Sequence, residues 1–100
     1  MFTPVRYKPI GTSQQLTAAQ LATVQSLTVP PGANVAIFRV GVSATAVSWR
    51  DDGVAPTAAI GQLMLAADPP FEYSGFLSAI QFILAVGSPT LFVSYYQVPA

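Results

Sequence analysis

Short runs of Val, Ile, Phe, Tyr and Thr alternate with proline and glycine along this chain, a spacing that predicts strands joined by turns. Val35–Val40 is apolar except for Arg39 and reads as a strand, with Gly41 ending or bending it. In Thr45–Arg50, Val47 and Trp49 fall on one side and Ala46, Ser48 and Arg50 on the other, the period of a half-buried strand. Asp51-Asp52-Gly53 follows as a turn, because glycine accepts positive φ at no steric cost. Val54–Ala59, with Pro56, reads as a loop, Ile60–Leu65 as a strand and Ala66–Pro70 as a turn. Phe71–Tyr73 is short and extended. Phe76–Val86 reads as one long strand with Ile80, Phe82 and Leu84 on a common face. After the Gly87-Ser88-Pro89 turn comes Thr90–Val98, with Leu91, Val93 and Tyr95 on one side; these last two strands are expected to form a hairpin.

The N-terminal part is less regular. Met1–Ile10 reads as an extended arm, since Pro4 and Pro9 oppose both a long helix and a central strand. Gly11–Gln15 is polar and reads as a loop, so residues 1–15 are expected to be arm and loop and residues 16–100 the folded domain. Ala18, Ala19, Leu21 and Ala22 would suit a short helix capped by Thr17. Thr23, Val24 and Leu27-Thr28-Val29 favour extended chain, and Ala22–Val29 is taken as a strand before a Pro30-Pro31-Gly32 turn. The total is seven or eight short antiparallel strands with no internal repeat: a single-domain, all-β sandwich with an N-terminal arm.

Composition sharpens this picture. Of the 100 residues, 52% are hydrophobic and 8% charged, against about 25% charged in an ordinary soluble domain. Disorder does not fit such a chain. There is no cysteine and no histidine, which excludes disulfides and zinc held by those ligands. Four cations balanced by four acids argue against direct nucleic-acid binding. Phe76–Val98 has the length of a membrane span, which needs about 20 apolar residues, but Gly87-Ser88-Pro89 breaks it at the middle and no membrane role is expected. The start, MFTPVRYKPIG, lacks the apolar core of a signal peptide.

Catalytic chemistry finds little to work with. General acid–base work relies on histidine or on carboxylates with separated pKa values, and the acids are Asp51, Asp52, Asp68 and Glu72 alone. Adjacent Asp51 and Asp52 point different ways in extended chain and read better as turn residues than as a catalytic pair or an irregular calcium site. Neither a nucleophile elbow nor a phosphate-binding glycine loop is present. No enzyme activity, cofactor or metal is expected. Trp49, Phe71, Tyr73, Tyr95 and Tyr96 could stack a sugar in a carbohydrate- or receptor-binding module, or simply fill a core.

Assembly is the stronger inference. The outward positions Ala46, Ser48, Ala79, Gln81, Ile83, Phe92 and Ser94 are small, apolar or neutral. A lone domain keeps itself soluble with interspersed charges, whereas neutral apolar faces mark contacts. A homo-oligomer or a larger assembly is therefore expected. Phe2, Val5 and Tyr7 would let the arm add a strand to a neighbour, the alternative being a disordered terminus. Arg39 would either meet a carboxylate of a neighbouring subunit or snorkel from an outer face. Arg50 beside Asp51 is either a recognition pair or a rim salt bridge. Tyr95 and Tyr96 face opposite ways in a strand, which makes Tyr96 a further contact candidate.

Trp49–Gln62 (WRDDGVAPTAAIGQ), Phe76–Ile83 (FLSAIQFI) and Leu91–Tyr96 (LFVSYY) resemble small structural proteins of tailed bacteriophages, in which a W-R-D-D-G-x-x-P-T stretch, an aromatic-rich strand and a final Tyr-Tyr strand recur. The resemblance spans roughly residues 27–97. It implies a jelly-roll-like sandwich and a virion component assembled in the host cytoplasm. A capsid decoration (cement) protein bound to the major capsid protein is the leading form. A tail or head-completion component is the alternative.

Overall fold

The computed structural model describes residues 6–99, so Phe2 and Val5 lie outside the described residues. Nine strand segments and one helical turn make up the fold: β1 (Lys8–Pro9), β2 (Gln14–Leu16), α1 (Ala18–Leu21), β3 (Gln25–Ser26), β4 (Val35–Gly41), β5 (Ala46–Arg50), β6 (Gln62–Leu65), β7 (Phe71–Tyr73), β8 (Gln81–Val86) and β9 (Thr90–Gln97).

All pairings are antiparallel, in two sheets. Sheet A runs β1-β9-β4-β7 with β2 also on β9, and sheet B runs β3-β8-β5-β6. β1 and β2 are one interrupted strand. Pro9 pairs with Tyr96 and Gln14 with Val93, so five residue steps on one side match three on the other. The extra residues loop out at Gly11, which has φ +66 and where a Cβ would lie 2.8 Å from Pro30 Cβ. Counted as eight strands, the orders are 1-8-3-6 and 2-7-4-5, a jelly roll: one long folded ribbon whose tip is the β5–β6 connection.

Each sheet turns one row of side chains into the sandwich. Leu91, Val93 and Tyr95 of β9, Ala36, Phe38 and Val40 of β4, and Val47 of β5 are buried there with Ile80 and Phe82. Phe38 sits at the centre, its ring 5.2 Å from Phe82 and 6.0 Å from Phe71. Burying a side chain of this size contributes about 1.5–3 kcal/mol, and that apolar term holds the two layers together.

Several sequence expectations change. The final two strands form no hairpin: β8 lies between β3 and β5, β9 between β1/β2 and β4. The Gly87–Pro89 turn crosses from one sheet to the other, so the apolar faces of β8 and β9 meet through the core rather than side by side. Phe76–Ile80 is a turn and β8 starts at Gln81. Leu77 and Ile80 are both buried, and residues three apart cannot share a face of an extended strand. Gln14 and Gln15, expected in a loop, belong to β2.

Ala22–Val29 is not one strand either. Ala18–Leu21 takes a helical turn under a full capping box, in which Thr17 N–H donates to Gln20 Oε1 at 2.9 Å. Only Gln25–Ser26 then pairs, while Leu27 and Val29 pack on the core without a ladder. Phe76–Val98, the apolar run of span length, is a turn and two strands. Among the described residues no helix is long and apolar enough to cross a membrane.

Candidate functional site

Register places Ala46, Ser48 and Arg50 of β5, Leu63 and Leu65 of β6 and Gln81 and Ile83 of β8 on the outer face of sheet B. Ala46 and Ser48 point outward as the alternation requires, yet both are about 1% exposed, which corrects their reading as open surface. The β5–β6 connection folds back over Ser48. Ser48 Oγ donates to the Ile60 carbonyl at 3.4 Å, and Pro56 is buried beside it. Gly61, at φ +146, permits the close approach: a Cβ there would lie 2.3 Å from Ser48 Oγ.

Around this flap the surface is aliphatic. Ile60, Leu63, Leu65, Val54 and Val86 are each exposed by 43% or more. At the end of the sandwich next to Leu65, an open hollow of about 240 Å³ is lined by Ala44, Thr45, Ala46, Leu65, Ala66, Ala67 and Val86. Val42, in the adjoining β4–β5 loop, is 57% exposed at φ +72, and Ala44 is at φ +61. A β-branched residue in the left-handed region carries steric strain, and Thr45 holds the loop by donating to the Val42 carbonyl at 2.7 Å.

β6 is one of the two edge strands of sheet B, but its edge is blunted. Leu65 N–H donates to Asp68 Oδ2 at 3.0 Å, and the Leu65 carbonyl accepts from Asp68 N–H at 3.0 Å. Pro69 and Pro70, which lack N–H donors, follow directly. A partner therefore meets this region through its side chains rather than by adding a strand.

Between the β6 and β7 edges lies an open groove of about 320 Å³ lined by Trp49, Gln62, Leu63, Met64, Asp68, Pro69, Pro70 and Phe71. Trp49 stacks on Phe71 at 5.4 Å and meets Tyr73 edge-on at 6.2 Å. The aromatic cluster of the sequence thus divides. Trp49, Phe71 and Tyr73 stay together, Tyr95 is buried in the core, and Tyr96 lies on the other side of β9.

The remaining contact candidates do not converge. Tyr7 is exposed on sheet A, its ring 6.0 Å from Tyr96 and its hydroxyl donating to Glu72 Oε1. That hydrogen bond raises the Tyr7 pKa, since an ionised phenol could not donate it. The described part of the arm pairs with its own chain's β9. Arg39 is exposed, with its guanidinium carbon 4.7 Å from the centre of the Phe92 ring, so it rises from an outer face.

Arg50 pairs with Asp52, not with its neighbour Asp51: Nε donates to Oδ1 at 3.0 Å and Nη2 to Oδ2. Arg50 holds the Asp52 carboxyl below its ordinary pKa. Asp51 instead accepts from the Tyr73 hydroxyl at 2.8 Å, tying β7 of sheet A to the loop that folds over sheet B. Burial first, then the Asp51 bond, pushes the Tyr73 pKa up to about 12. Among the described residues, no three His, Cys, Asp or Glu residues come together as a metal site. Comparisons with family models, with curated proteins and with solved structures return no match for this chain.

Proposed function

We propose that this chain is a structural protein of a tailed-phage virion. In this reading it decorates the capsid, and it stabilises the shell by burying the uncharged wall of sheet B against its neighbours. The observation that carries the reading is that wall: Leu63, Leu65, Ile60 and Val86 stand exposed, and the one charged side chain on the face, Arg50, is neutralised at its margin by Asp52. An aliphatic surface without free charge is unfavourable in water and favourable in a contact. The jelly roll supports the reading, since such sandwiches build many capsid and lectin domains. So does the phage-like W-R-D-D-G-x-x-P-T stretch, which forms the end of β5 and the start of the flap. Partners would be the major capsid protein, other virion proteins and further copies of the chain.

Copy number in purified particles, measured by quantitative mass spectrometry against the major shell protein, tests this. A simple ratio to the shell protein is expected. A count of about five to a dozen, the range of closed rings, would place the chain in a tail or head-completion ring. Absence from particles would overturn the virion reading.

A second reading has one observation in its favour. The Trp49–Phe71 groove, with Gln62 and Asp68 at its side, has the aromatic-plus-polar lining of a sugar site. Phe71 already covers one face of the Trp49 ring, which leaves little platform for stacking. A glycan-binding screen with wild type and Trp49→Ala separates the two readings.

A further inference from the structure

The chain is formally neutral, but its two signs of charge are used differently. All four Asp and Glu side chains accept hydrogen bonds from the chain itself. Asp52 is held by Arg50 and by Val54 N–H, Asp51 by the Tyr73 hydroxyl, Asp68 by Leu65 N–H and Glu72 by the Tyr7 hydroxyl. Among the described residues Arg6, Lys8 and Arg39 have no carboxylate partner.

Arg39 is the best placed of the three. It stands on the outer face of sheet A, opposite Phe92 in the β4–β9 register and laid over that ring. The nearest acid on the same face is Glu72, paired with Ile37 two residues away from Arg39. A diagonal neighbour of this kind lies about 7–8 Å off, within reach of long side chains. Glu72 is turned the other way, toward Tyr7. The guanidinium is left beside a shallow depression of about 360 Å³, whose rim offers the hydroxyls and amides of Ser13, Gln15 and Ser94 and the ring of Pro70. A guanidinium held on an aromatic ring, with its donors outward, suits bidentate capture of a carboxylate.

We propose that the outer face of sheet A docks an acidic segment of a different protein, with a carboxylate of that segment seated on Arg39 between Phe92 and Pro70. A second copy of this chain fits less well, because each of its side-chain carboxylates is already bonded. A polyphosphate fits less well, because Arg39 is, among the described residues, the one cation lining the depression and Glu72 stands on the same face. The proposal rests on the virion reading for the identity of the partner, an acidic stretch of a shell protein, and not for the chemistry of the site.

The test uses particles carrying the full chain as wild type, Arg39→Gln, Arg39→Glu or Glu72→Gln, with retained copies counted after washes at low and high salt. Arg39→Gln is expected to weaken binding about tenfold, Arg39→Glu to weaken it more, and Glu72→Gln to strengthen it, with wild-type retention falling as salt rises. Retention of Arg39→Glu at the wild-type level overturns the docking and leaves the virion reading intact. Wild type missing from particles removes the virion reading alone.

The site is then tested on the isolated chain by NMR titration with a glutamate-rich peptide, a lysine-rich peptide and a single-stranded oligonucleotide. Shifts at Phe92 and Ser94 with the glutamate peptide, abolished in Arg39→Gln, support the site. Equal shifts with the lysine peptide, larger ones with the oligonucleotide, or none at all overturn it. Sedimentation supplies the remaining check: self-association that Arg39→Gln abolishes would show a second copy as the occupant and refute a different partner.

Discussion

The outer face of sheet A carries Arg39, Glu72, Phe92, Ser94 and Tyr96, a mixed polar and aromatic surface crossed by the Tyr7 side chain. That of sheet B carries Leu63, Leu65 and Ile83, with Arg50 at one margin and a flap of its own chain over Ser48. Both faces are built from the same period-two alternation, and both sheets bury equivalent apolar rows inward. The difference lies in what the outward row says to a partner. Sheet A has charge to match, which gives orientation and specificity. Sheet B has area to bury, which gives stabilisation of an assembled state by mass action. In the proposed reading, contacts of unlike chemistry on opposite faces would hold this small protein between neighbours.

The largest effect on the comparison comes from lifting the flap. Gly61→Ala places a Cβ against Ser48 Oγ and Trp49 O and forbids φ +146. The expected loss is about 2–3 kcal/mol in chemical denaturation, with Ser48 and Pro56 exposed on sheet B and sheet A unchanged.

Alkali should act on the tie between the faces. Tyr73 and Tyr95 both have pKa values pushed up to about 12, so the fold favours their neutral forms. Their contribution is complete below pH 10, the ordinary tyrosine value, and is lost as pH rises from there through 12. Tyr95→Phe removes the core member, and its circular dichroism titration should show a shallower loss over that window. An unchanged titration would place the alkaline sensitivity elsewhere.

A smaller effect, of opposite sign, is expected at the uncharged end. Val42→Gly relieves a β-branched residue at φ +72 and should stabilise by about 1 kcal/mol, raising Tm by about 4–8 °C. The smallest is on sheet A. Tyr7→Phe frees Glu72 from an exposed hydrogen bond, and thermal unfolding should be almost unchanged.

Strands β4, β5, β7 and β9 were legible because alternation and flanking glycine or proline mark both their faces and their ends. Periodicity reports which way a side chain points, not which strand lies beside it, so the expected hairpin of the last two strands dissolved into two sheets. The continuous apolar run from Phe76 hid a turn whose only trace is the three-residue spacing of Leu77 and Ile80. The flap was illegible for a related reason. Small outward residues such as Ala46 and Ser48 look alike whether open to water or covered by a loop, and Pro56 with Gly61 was the available hint. Exposed Leu63 and Leu65 had a clearer signal: they alternate with Met64, so the apolar run Leu63–Leu65 in a strand puts apolar side chains on both faces. Arg39 was legible as an outer-face cation, whereas the choice of Asp52 over Asp51 by Arg50 depends on turn geometry that sequence adjacency does not convey.

In the proposed function the wall of sheet B is buried in the assembled particle. The most direct measurement compares copies per particle for wild type and a Leu63→Lys, Leu65→Lys double variant, after unfolding curves have established that the isolated variant is as stable as wild type. The expected result is a folded variant that is lost from particles. A folded variant retained at the wild-type copy number would contradict it.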